Sequence, residues 1–252
     1  MFEPVVVARG LCRTYTAPDG STLKALDDVD VDILPGELTV IAGPSGSGKS
    51  TLLQVLAGLD RPQAGSVRIG GEEITKSGDR SLARLRRRSL GFVFQSFNLI
   101  DSLSARENIA LPLQLDGRAV NDDRLVELAT ALGMEERLDH MPHQLSGGQQ
   151  QRIAVVRALL ADPHVVFADE PTASLDPTAG QQMISVMLDV AHTHGHAVVA
   201  ISHDPAVAAR GDKVYRMAAG RLTLVEDRMT GSTAGSLAGS SAVSTKIIGV
   251  GA

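Results

Sequence analysis

Short runs of apolar residues, rich in valine and isoleucine, alternate along the chain with longer segments in which apolar residues recur at helical spacing. Many of the short runs are apolar at consecutive positions, which is typical of strands buried on both faces. The runs predicted as strands are Val5–Ala8, Leu38–Ala42, Val67–Ile69, Gly91–Phe94, Val165–Ala168 and Ala197–Ser202. The predicted helices are Ser50–Leu59, Ser104–Leu115, Asp122–Leu132, Gly148–Ala161 and Thr178–His192. This alternation predicts an α/β fold in which helices cover a largely parallel sheet.

Two segments depart from the alternation. Residues 96–160 contain helical patterns without a convincing strand, so we expect a helical subdomain inserted between two core strands. The segment Val214–Val225 contains a turn-forming glycine and predicts a closing hairpin. We expect one domain over residues 1–228 and a flexible tail over residues 229–252, because glycine, serine and alanine dominate there. The apolar end of the tail leaves a docking segment open as an alternative.

Composition narrows the class of protein. The 252 residues suffice for one sizeable α/β domain with a full core. A formal net charge of −5 and an aromatic content of 3% without tryptophan argue against a nucleic-acid partner. The single cysteine, Cys12, excludes an intramolecular disulfide and is expected to be a small buried residue. Because the sequence has neither a secretory signal nor about 18 consecutive apolar residues, the expected location is the cytoplasm.

A glycine-rich loop follows the predicted strand Leu38–Ala42 and precedes a predicted helix. Glycines let backbone N–H groups converge on phosphate oxygens, and the helix directs its positive N-terminus to the same place. We expect Lys49 to reach the β- and γ-phosphates of a nucleotide and the Ser50 hydroxyl to bind Mg²⁺. The residues that fit the pattern G-x-x-x-x-G-K-[ST], with the threonine that follows it, are Gly43, Pro44, Ser45, Gly46, Ser47, Gly48, Lys49, Ser50 and Thr51.

Two carboxylates follow the predicted strand Val165–Ala168. Asp169 is a natural partner for Mg²⁺, directly or through water. Glu170 is the candidate general base that polarises an attacking water molecule. The alternative is that two acids simply mark a strand end at the surface. Their expected place beside the phosphate loop, at the carboxyl end of a parallel strand, favours the catalytic interpretation.

A second loop-to-helix junction has the chemistry of an anion site. Ser146 is a favourable N-cap residue, and the two glycines after it leave N–H groups able to approach a phosphate. From these residue types alone, an anion site and an ordinary capped helix both remain open. The junction consists of Leu145, Ser146, Gly147, Gly148 and Gln149.

This junction matches the signature sequence of ABC ATPases, and the other motifs follow in that family's order over nearly all of Val5–Val225. The chain therefore resembles an ABC transporter ATP-binding subunit. The resemblance implies a P-loop NTPase core with a mostly parallel sheet, an antiparallel β subdomain and an inserted helical signature subdomain. It also implies that the signature closes over ATP bound to the phosphate loop of a second copy, giving a head-to-tail homodimer.

The resemblance implies roles for further residues. Tyr15 lies where the family places an aromatic that stacks on adenine. Gln95 matches the glutamine that senses Mg²⁺ and the attacking water, and His203 matches the histidine that contacts the γ-phosphate. For each of these three, local packing is the structural alternative. The loop expected to pass between the two sites of the dimer is Ser174, Leu175 and Asp176.

The segments Phe92–Leu99, Ala105–Pro112 and Ala168–Thr172 resemble ATPases of the lipoprotein-release, macrolide-export and cell-division group. That resemblance implies an integral membrane permease as partner, with the ATPase held at the inner face of the cell membrane and working in export or mechanotransmission. We expect residues 97–100 and the nearby helices to dock this permease.

Other functions remain as alternatives. An importer ATPase shares the core motifs, and regulation of cell-wall hydrolases through a membrane partner would use the same ATPase. DNA-repair relatives insert a long coiled coil, and no heptad run is present here. Ribosome-acting relatives generally fuse two ATPase domains, whereas this sequence has one phosphate loop.

Overall fold

Two β-sheets of different kinds form the framework in the computed structural model, which describes residues 3–229 and the backbone of residues 232–233. The strands in the first half of the chain are β1 (Val6–Thr16), β2 (Thr22–Ile33), β3 (Leu38–Ala42), β4 (Ala64–Ile69), β5 (Glu72–Glu73) and β6 (Leu90–Val93). The later strands are β7 (Val165–Asp169), β8 (Ala197–Ser202), β9 (Lys213–Ala218), β10 (Arg221–Asp227) and β11 (Ser232–Thr233).

The larger sheet has seven strands in the order β11-β10-β9-β3-β8-β7-β6. Every neighbouring pair from β9 to β6 is parallel, whereas β10 and β11 pair antiparallel at one edge. The smaller sheet is antiparallel, in the order β2-β1-β4-β5. The sequence-based fold class, including its antiparallel β subdomain, is therefore confirmed.

Helices cover both faces of the larger sheet. Those that belong to the core are α1 (Lys49–Leu56), α2 (Asp79–Ser89), α6 (Pro177–His192) and the short α7 (Pro205–Ala208). The inserted ones are α3 (Ala105–Leu115), α4 (Asp122–Ala131) and α5 (Gly147–Leu160), with single 3₁₀ turns at Glu135–Arg137 and Pro142–Gln144. Residues 94–164 contain no strand, and this stretch includes the insert expected over residues 96–160, so the presence of an inserted helical subdomain is confirmed. None of the helices within residues 3–229 is both long enough and apolar enough to cross a bilayer.

Along the central strands, successive side chains point to opposite faces of the sheet and pack into two separate hydrophobic cores. On β7, Val165 and Phe167 pack with the antiparallel sheet and α1, whereas Val166 and Ala168 pack with the helical insert and α6. Because side chains alternate across a strand, a strand with a core on each face is apolar at every position. This explains the consecutive apolar runs in the sequence.

The structure departs from the sequence-based expectation at β2, where no strand was predicted. Along Thr22–Ile33 the buried residues Leu26, Val29, Val31 and Ile33 are interrupted by four aspartates that remain at least partly accessible, and an exposed lysine precedes them. A strand at the edge of the smaller sheet buries one face and exposes the other, so charged residues are tolerated in it. Cys12, expected to be buried, is only half-buried in β1.

The hairpin predicted over Val214–Val225 is β9 and β10, joined at Ala219 and Gly220. Within the expected tail, the backbone of β11 pairs with β10, Thr233 opposite Glu226. The rest of that tail, residues 230–231 and 234–252, lies outside the described residues.

The basic end of α2 fastens the core to the helical insert. Asp116, the C-cap of α3, lies with its side chain only 4% exposed between Arg87 and Arg88. Arg87 Nε donates to Oδ1 at 3.2 Å and Arg88 Nε to Oδ2 at 2.7 Å. The Arg88 hydrogen bond, followed by that of Arg87, lowers the pKa of the Asp116 carboxyl despite its burial. These two arginines therefore bridge the two parts of the domain.

We expect Asp116→Asn to lower the free energy of unfolding at pH 7, because it removes a shielded charge that two arginines share. The pKa of Asp116 is lower in the folded than in the unfolded chain, so ionised Asp116 stabilises the fold above its ordinary pKa. This contribution is lost progressively as the pH falls below about 5. Urea denaturation of the parent and the variant should therefore converge towards acid pH.

Asp122→Asn is the matched control, because Asp122 pairs with Arg106 at 2.6 Å but its side chain is 71% exposed. Its effect should be small at every pH. An equal loss of stability in Asp116→Asn at pH 7 and pH 3 would contradict the assignment.

Candidate functional site

A cavity of about 720 Å³ opens where β3, β7 and β8 end. Phosphate-loop and α1 residues form one wall, namely Pro44, Ser45, Gly46, Gly48, Lys49, Ser50 and Thr51. The cavity is also lined by the predicted residues Tyr15, Gln95, Asp169, Glu170 and His203. The structure thus brings together side chains that are separated by up to 188 positions in sequence.

Two predicted loop residues do not line the cavity. Ser47 is buried, and its backbone oxygen accepts from Gly220 N at 3.1 Å. Gly43 contacts the backbone of β9, where an added Cβ would lie 2.2 Å from the Met217 oxygen. Both residues therefore contact the β9–β10 hairpin and do not face the cavity. Leu23, Ala25 and Ala173 line the cavity without having been predicted, since isolated apolar residues carry no motif.

Glycine is required where the loop enters α1. Gly48 has φ 107°, and a Cβ there would lie 2.2 Å from the Ala25 oxygen on β2. Lys49, the first residue of α1, is buried, and its Nζ donates to the Gly43 and Pro44 oxygens at 2.9 and 3.0 Å. The ammonium group is therefore held over the loop, with Ser50 and Thr51 beside it on α1.

The two carboxylates end β7 in different environments. Burial raises the pKa of Asp169, the charge of Glu170 raises it further, and Lys49 opposes both. Glu170 has φ 47°, a left-handed conformation that is unfavourable for a glutamate. Its Oε1 lies 2.9 Å from His203 Nδ1, and its Oε2 accepts from Ser202 Oγ at 3.3 Å. The end of β8 thus fixes the orientation of the Glu170 carboxylate.

Gln95 begins a loop that is fastened to the helical insert. Asn108, fully buried on α3, donates to the backbone oxygens of Ile100, Leu103 and Ser104 and accepts from Ile100 N at 2.7 Å. Arg157 on α5 donates to the Phe97 and Asn98 oxygens at 2.7 and 2.6 Å. Sequence reasoning assigned no role to Asn108 or Arg157, because their partners are backbone atoms that no motif displays.

The signature residues lie at the start of α5, outside the cavity of their own chain. Ser146 is the N-cap; its Oγ accepts from Gln149 N, and Gln149 Oε1 accepts from Ser146 N at 2.9 Å. This capping box leaves the helix N-terminus formed and accessible. Leu145 is buried behind it, and Gly147 and Gly148 form the first turn of the helix.

The loop after Glu170 lies between the cavity and the signature helix. Ser174 Oγ donates to the Gln95 oxygen at 3.4 Å, and its own backbone oxygen lies 3.9 Å from where a Cβ would stand on Gly147. Leu175 packs against the core of the insert. Asp176 caps α6 by accepting from Thr178 N and Ala179 N, both at 3.0 Å.

The donor set suits Mg²⁺ held together with a nucleotide. Ser50, Gln95 and Asp169 supply a hydroxyl, an amide and a carboxylate oxygen to the same cavity, and hard cations prefer such ligands. No cluster of three or more histidine, cysteine, aspartate or glutamate residues that could hold a metal occurs in the described part of the chain. Magnesium bound here would therefore need further oxygens from phosphate or water.

The family model described as ABC transporter matches residues 26–173, more than half of the chain and including the phosphate loop, the signature and Glu170. The chain belongs to the ABC transporter family. It is 42% identical over 236 residues to a macrolide export ATP-binding/permease protein, MacB, of Paracoccus denitrificans, covering 92% of this chain. It is 40% identical over 235 residues to a MacB protein of Agrobacterium fabrum. The chain spans 34% and 36% of the length of these two relatives.

Solved structures of ABC proteins share the fold. The dimeric, post-hydrolysis state of the ATP-binding cassette MJ0796, bound to ADP and phosphate, superposes with a TM-score of 0.79 at 36% identity. The likeness covers 88% of this chain and 98% of that one. CbiO1 of Clostridium perfringens, part of the transporter complex cbiONQ, gives a TM-score of 0.77 at 28% identity, with 88% of each chain covered. This ABC domain therefore has the architecture of a nucleotide-binding cassette.

In this ABC domain, two glycine-to-alanine substitutions distinguish the free-energy cost of close packing from the cost of an unfavourable backbone conformation. Gly43→Ala would force a Cβ against the Met217 backbone, so we expect a loss of about 3 kcal/mol or more in the free energy of unfolding. At Gly46 (φ +74°) no atom lies within 4 Å of the added Cβ, so Gly46→Ala should cost only about 1 kcal/mol. Urea denaturation measures both. Equal losses would show that the contact with β9 does not restrict position 43.

Proposed function

We propose that this chain binds ATP with Mg²⁺ and hydrolyses it to ADP and phosphate. The observation that carries the proposal is the single cavity in which Lys49, Asp169, Glu170 and His203 meet. A cation for the phosphates, an oxygen ligand for Mg²⁺, a carboxylate base and a second polar contact to phosphate are the groups that phosphoryl transfer to water requires.

Each group has a distinct task in the proposed reaction. Lys49 exchanges its two backbone partners for phosphate oxygens and offsets their charge. Glu170 orients a water molecule and accepts its proton while the water oxygen bonds to the γ-phosphorus. The bond from the γ-phosphorus to the bridging oxygen then breaks. His203 is placed to contact the γ-phosphate. Bound Mg²⁺, held by Ser50, Gln95 and Asp169, would neutralise charge that develops on the phosphates.

A second copy of the chain completes the proposed site. Ser146 and the following turn lie outside the cavity of their own chain, yet their exposed helix N-terminus suits an anion. A head-to-tail pair would place each signature over the nucleotide of the other copy. The dimeric state of MJ0796 supports this arrangement.

We further propose that dimer closure and opening drive a membrane permease in an export system. The names of the MacB relatives combine ATP-binding and permease functions, and this chain spans about a third of their length. We propose that the ATPase domain spans residues 1–228 and binds this permease. The permease would then keep the ATPase domain at the inner face of the membrane. The export function of the named relatives favours this direction over import.

A cleft of about 500 Å³ is the proposed docking site for the permease. It lies between α2 and β6 on one side and the inserted helices α3 and α5 on the other. Leu115 and Leu59, at its edge, are 69% and 49% exposed, and the Phe92 and Phe94 rings stack at 5.6 Å. Asn98, in the loop after Gln95, also lines it. An apolar helical segment of the permease fits such a cleft.

Glu170→Gln tests the shared site. The amide is isosteric but a poor base, so we expect the variant to bind Mg-ATP, to lose at least about 100-fold in turnover and to accumulate as a dimer. Size-exclusion chromatography with light scattering should show a monomer without nucleotide and a dimer with it. Adding Ser146→Arg, which places a bulky side chain at the signature N-terminus, should abolish the dimer.

Glu127→Gln is the control, because Glu127 forms an exposed pair with Arg124 at 3.0 Å on α4. That variant should hydrolyse ATP at the parental rate. If Glu170→Gln binds ATP but remains monomeric at high concentration, the chain does not form the proposed dimer by itself.

Leu115→Glu tests the cleft. A charge at its edge should release the chain from the membrane fraction of its native cells, because a glutamate there opposes burial of an apolar segment. Val225→Glu, on β10 and 39% exposed, is the control and should remain membrane-bound. Sedimentation and immunoblotting measure both. Membrane association that Leu115→Glu leaves intact would place the docking site elsewhere.

A further inference from the structure

Two charged residues that have no role in the proposed reaction, Arg13 and Asp60, contact the Tyr15 side chain. The Arg13 guanidinium lies over the Tyr15 ring, its central carbon 4.7 Å from the ring centroid. Asp60 accepts from the Tyr15 hydroxyl at 2.7 Å and from Arg13 Nη2 at 2.9 Å. Arg13 Nε lies 2.9 Å from the same carboxylate. The three side chains therefore form a closed triangle of contacts.

The backbone supports this triangle. Arg13 and Tyr15 are two residues apart on β1, so their side chains lie on the same face of the strand. Asp60 belongs to the turn after α1, and Gln63 in the same turn exchanges hydrogen bonds with the Thr14 backbone at 2.7 and 3.2 Å. These hydrogen bonds fix the position of the turn, and with it the Asp60 carboxylate, relative to β1.

One face of the ring remains available. Tyr15 lines the nucleotide cavity, and Arg13 does not. On the cavity side, Leu23 lies directly opposite Tyr15 in the register of β1 and β2 and is 60% exposed. The ring and this leucine both line the cavity, where they offer apolar surface beside the phosphate loop.

We propose that Arg13 and Asp60 are positioning residues for base recognition, holding the Tyr15 ring so that its free face stacks on the base of the nucleotide. Arg13 covers the far face of the ring, and Asp60 fixes the position of its outer end through the hydroxyl. This assignment rests on the proposed function, because it deepens the role of the same nucleotide site. It explains a tyrosine at this position, since phenylalanine would lack the hydroxyl that Asp60 accepts from.

Calorimetric titration with Mg-ATP and with Mg-tripolyphosphate, which has no base, separates base recognition from phosphate binding. Arg13→Gln and Asp60→Ala should each weaken ATP binding about fivefold, the size of one exposed cation–π contact or hydrogen bond, and leave tripolyphosphate binding unchanged. Arg13→Lys, which keeps a cation near the ring, should recover part of the loss. Tyr15→Phe and Asp60→Ala both remove the hydrogen bond between the Tyr15 hydroxyl and Asp60, so their effects on ATP binding should add only in part.

Arg9→Gln is the matched control, because Arg9 lies on the same strand but pairs with Asp32 at 2.8 Å on an exposed face. It should bind both ligands like the parent, and urea denaturation should show every variant folded. If Arg13→Gln binds ATP like the parent, or loses ATP and tripolyphosphate equally, the positioning role is overturned while the proposed function stands. If the parent chain binds neither ligand, the proposed function itself fails.

Discussion

The phosphate loop lies so close to the backbones of β9 and β2 that only glycine fits at two of its positions. A Cβ at Gly43 would meet Met217 of β9, and one at Gly48 would meet Ala25 of β2, each at 2.2 Å. The turn at Gly220 donates to the Ser47 oxygen in the same region. The loop therefore joins the parallel sheet, the antiparallel sheet and the closing hairpin at one point. Movement of any of these elements changes the cavity that the loop lines.

The loop after Gln95 connects this cavity to the cleft proposed for the permease. Gln95 lines the cavity, Asn98 lines the cleft, and only two residues separate them in the chain. Arg157 and Asn108 hold the backbone of this loop from two different inserted helices. Because packed elements have few alternative arrangements, a displacement of Gln95 would be transmitted to the insert. The bridge from Asp116 to α2 limits that movement at the other end of the cleft.

The parts of the fold that were predictable are those in which local pattern and tertiary environment agree. Strands β3, β7 and β8 have a core on each face, so their sequences are apolar at nearly every position. The phosphate loop and the acids after β7 follow from motif chemistry. Strand β2 was missed because its exposed face carries charges. The partners of Tyr15 were missed because Asp60 is 45 positions away, and only the folded register brings the two side chains together.

Two of the proposed catalytic groups, Lys49 and Glu170, differ in what nucleotide binding requires of them. Lys49 donates to neutral backbone oxygens, and exchanging these for charged phosphate oxygens strengthens its hydrogen bonds. Glu170 pairs with His203, so freeing its carboxylate requires another partner for the histidine. In the proposed function that partner is the γ-phosphate. Binding of the third phosphate would thus release the general base at the moment that its substrate is present, whereas a nucleoside diphosphate would leave Glu170 paired.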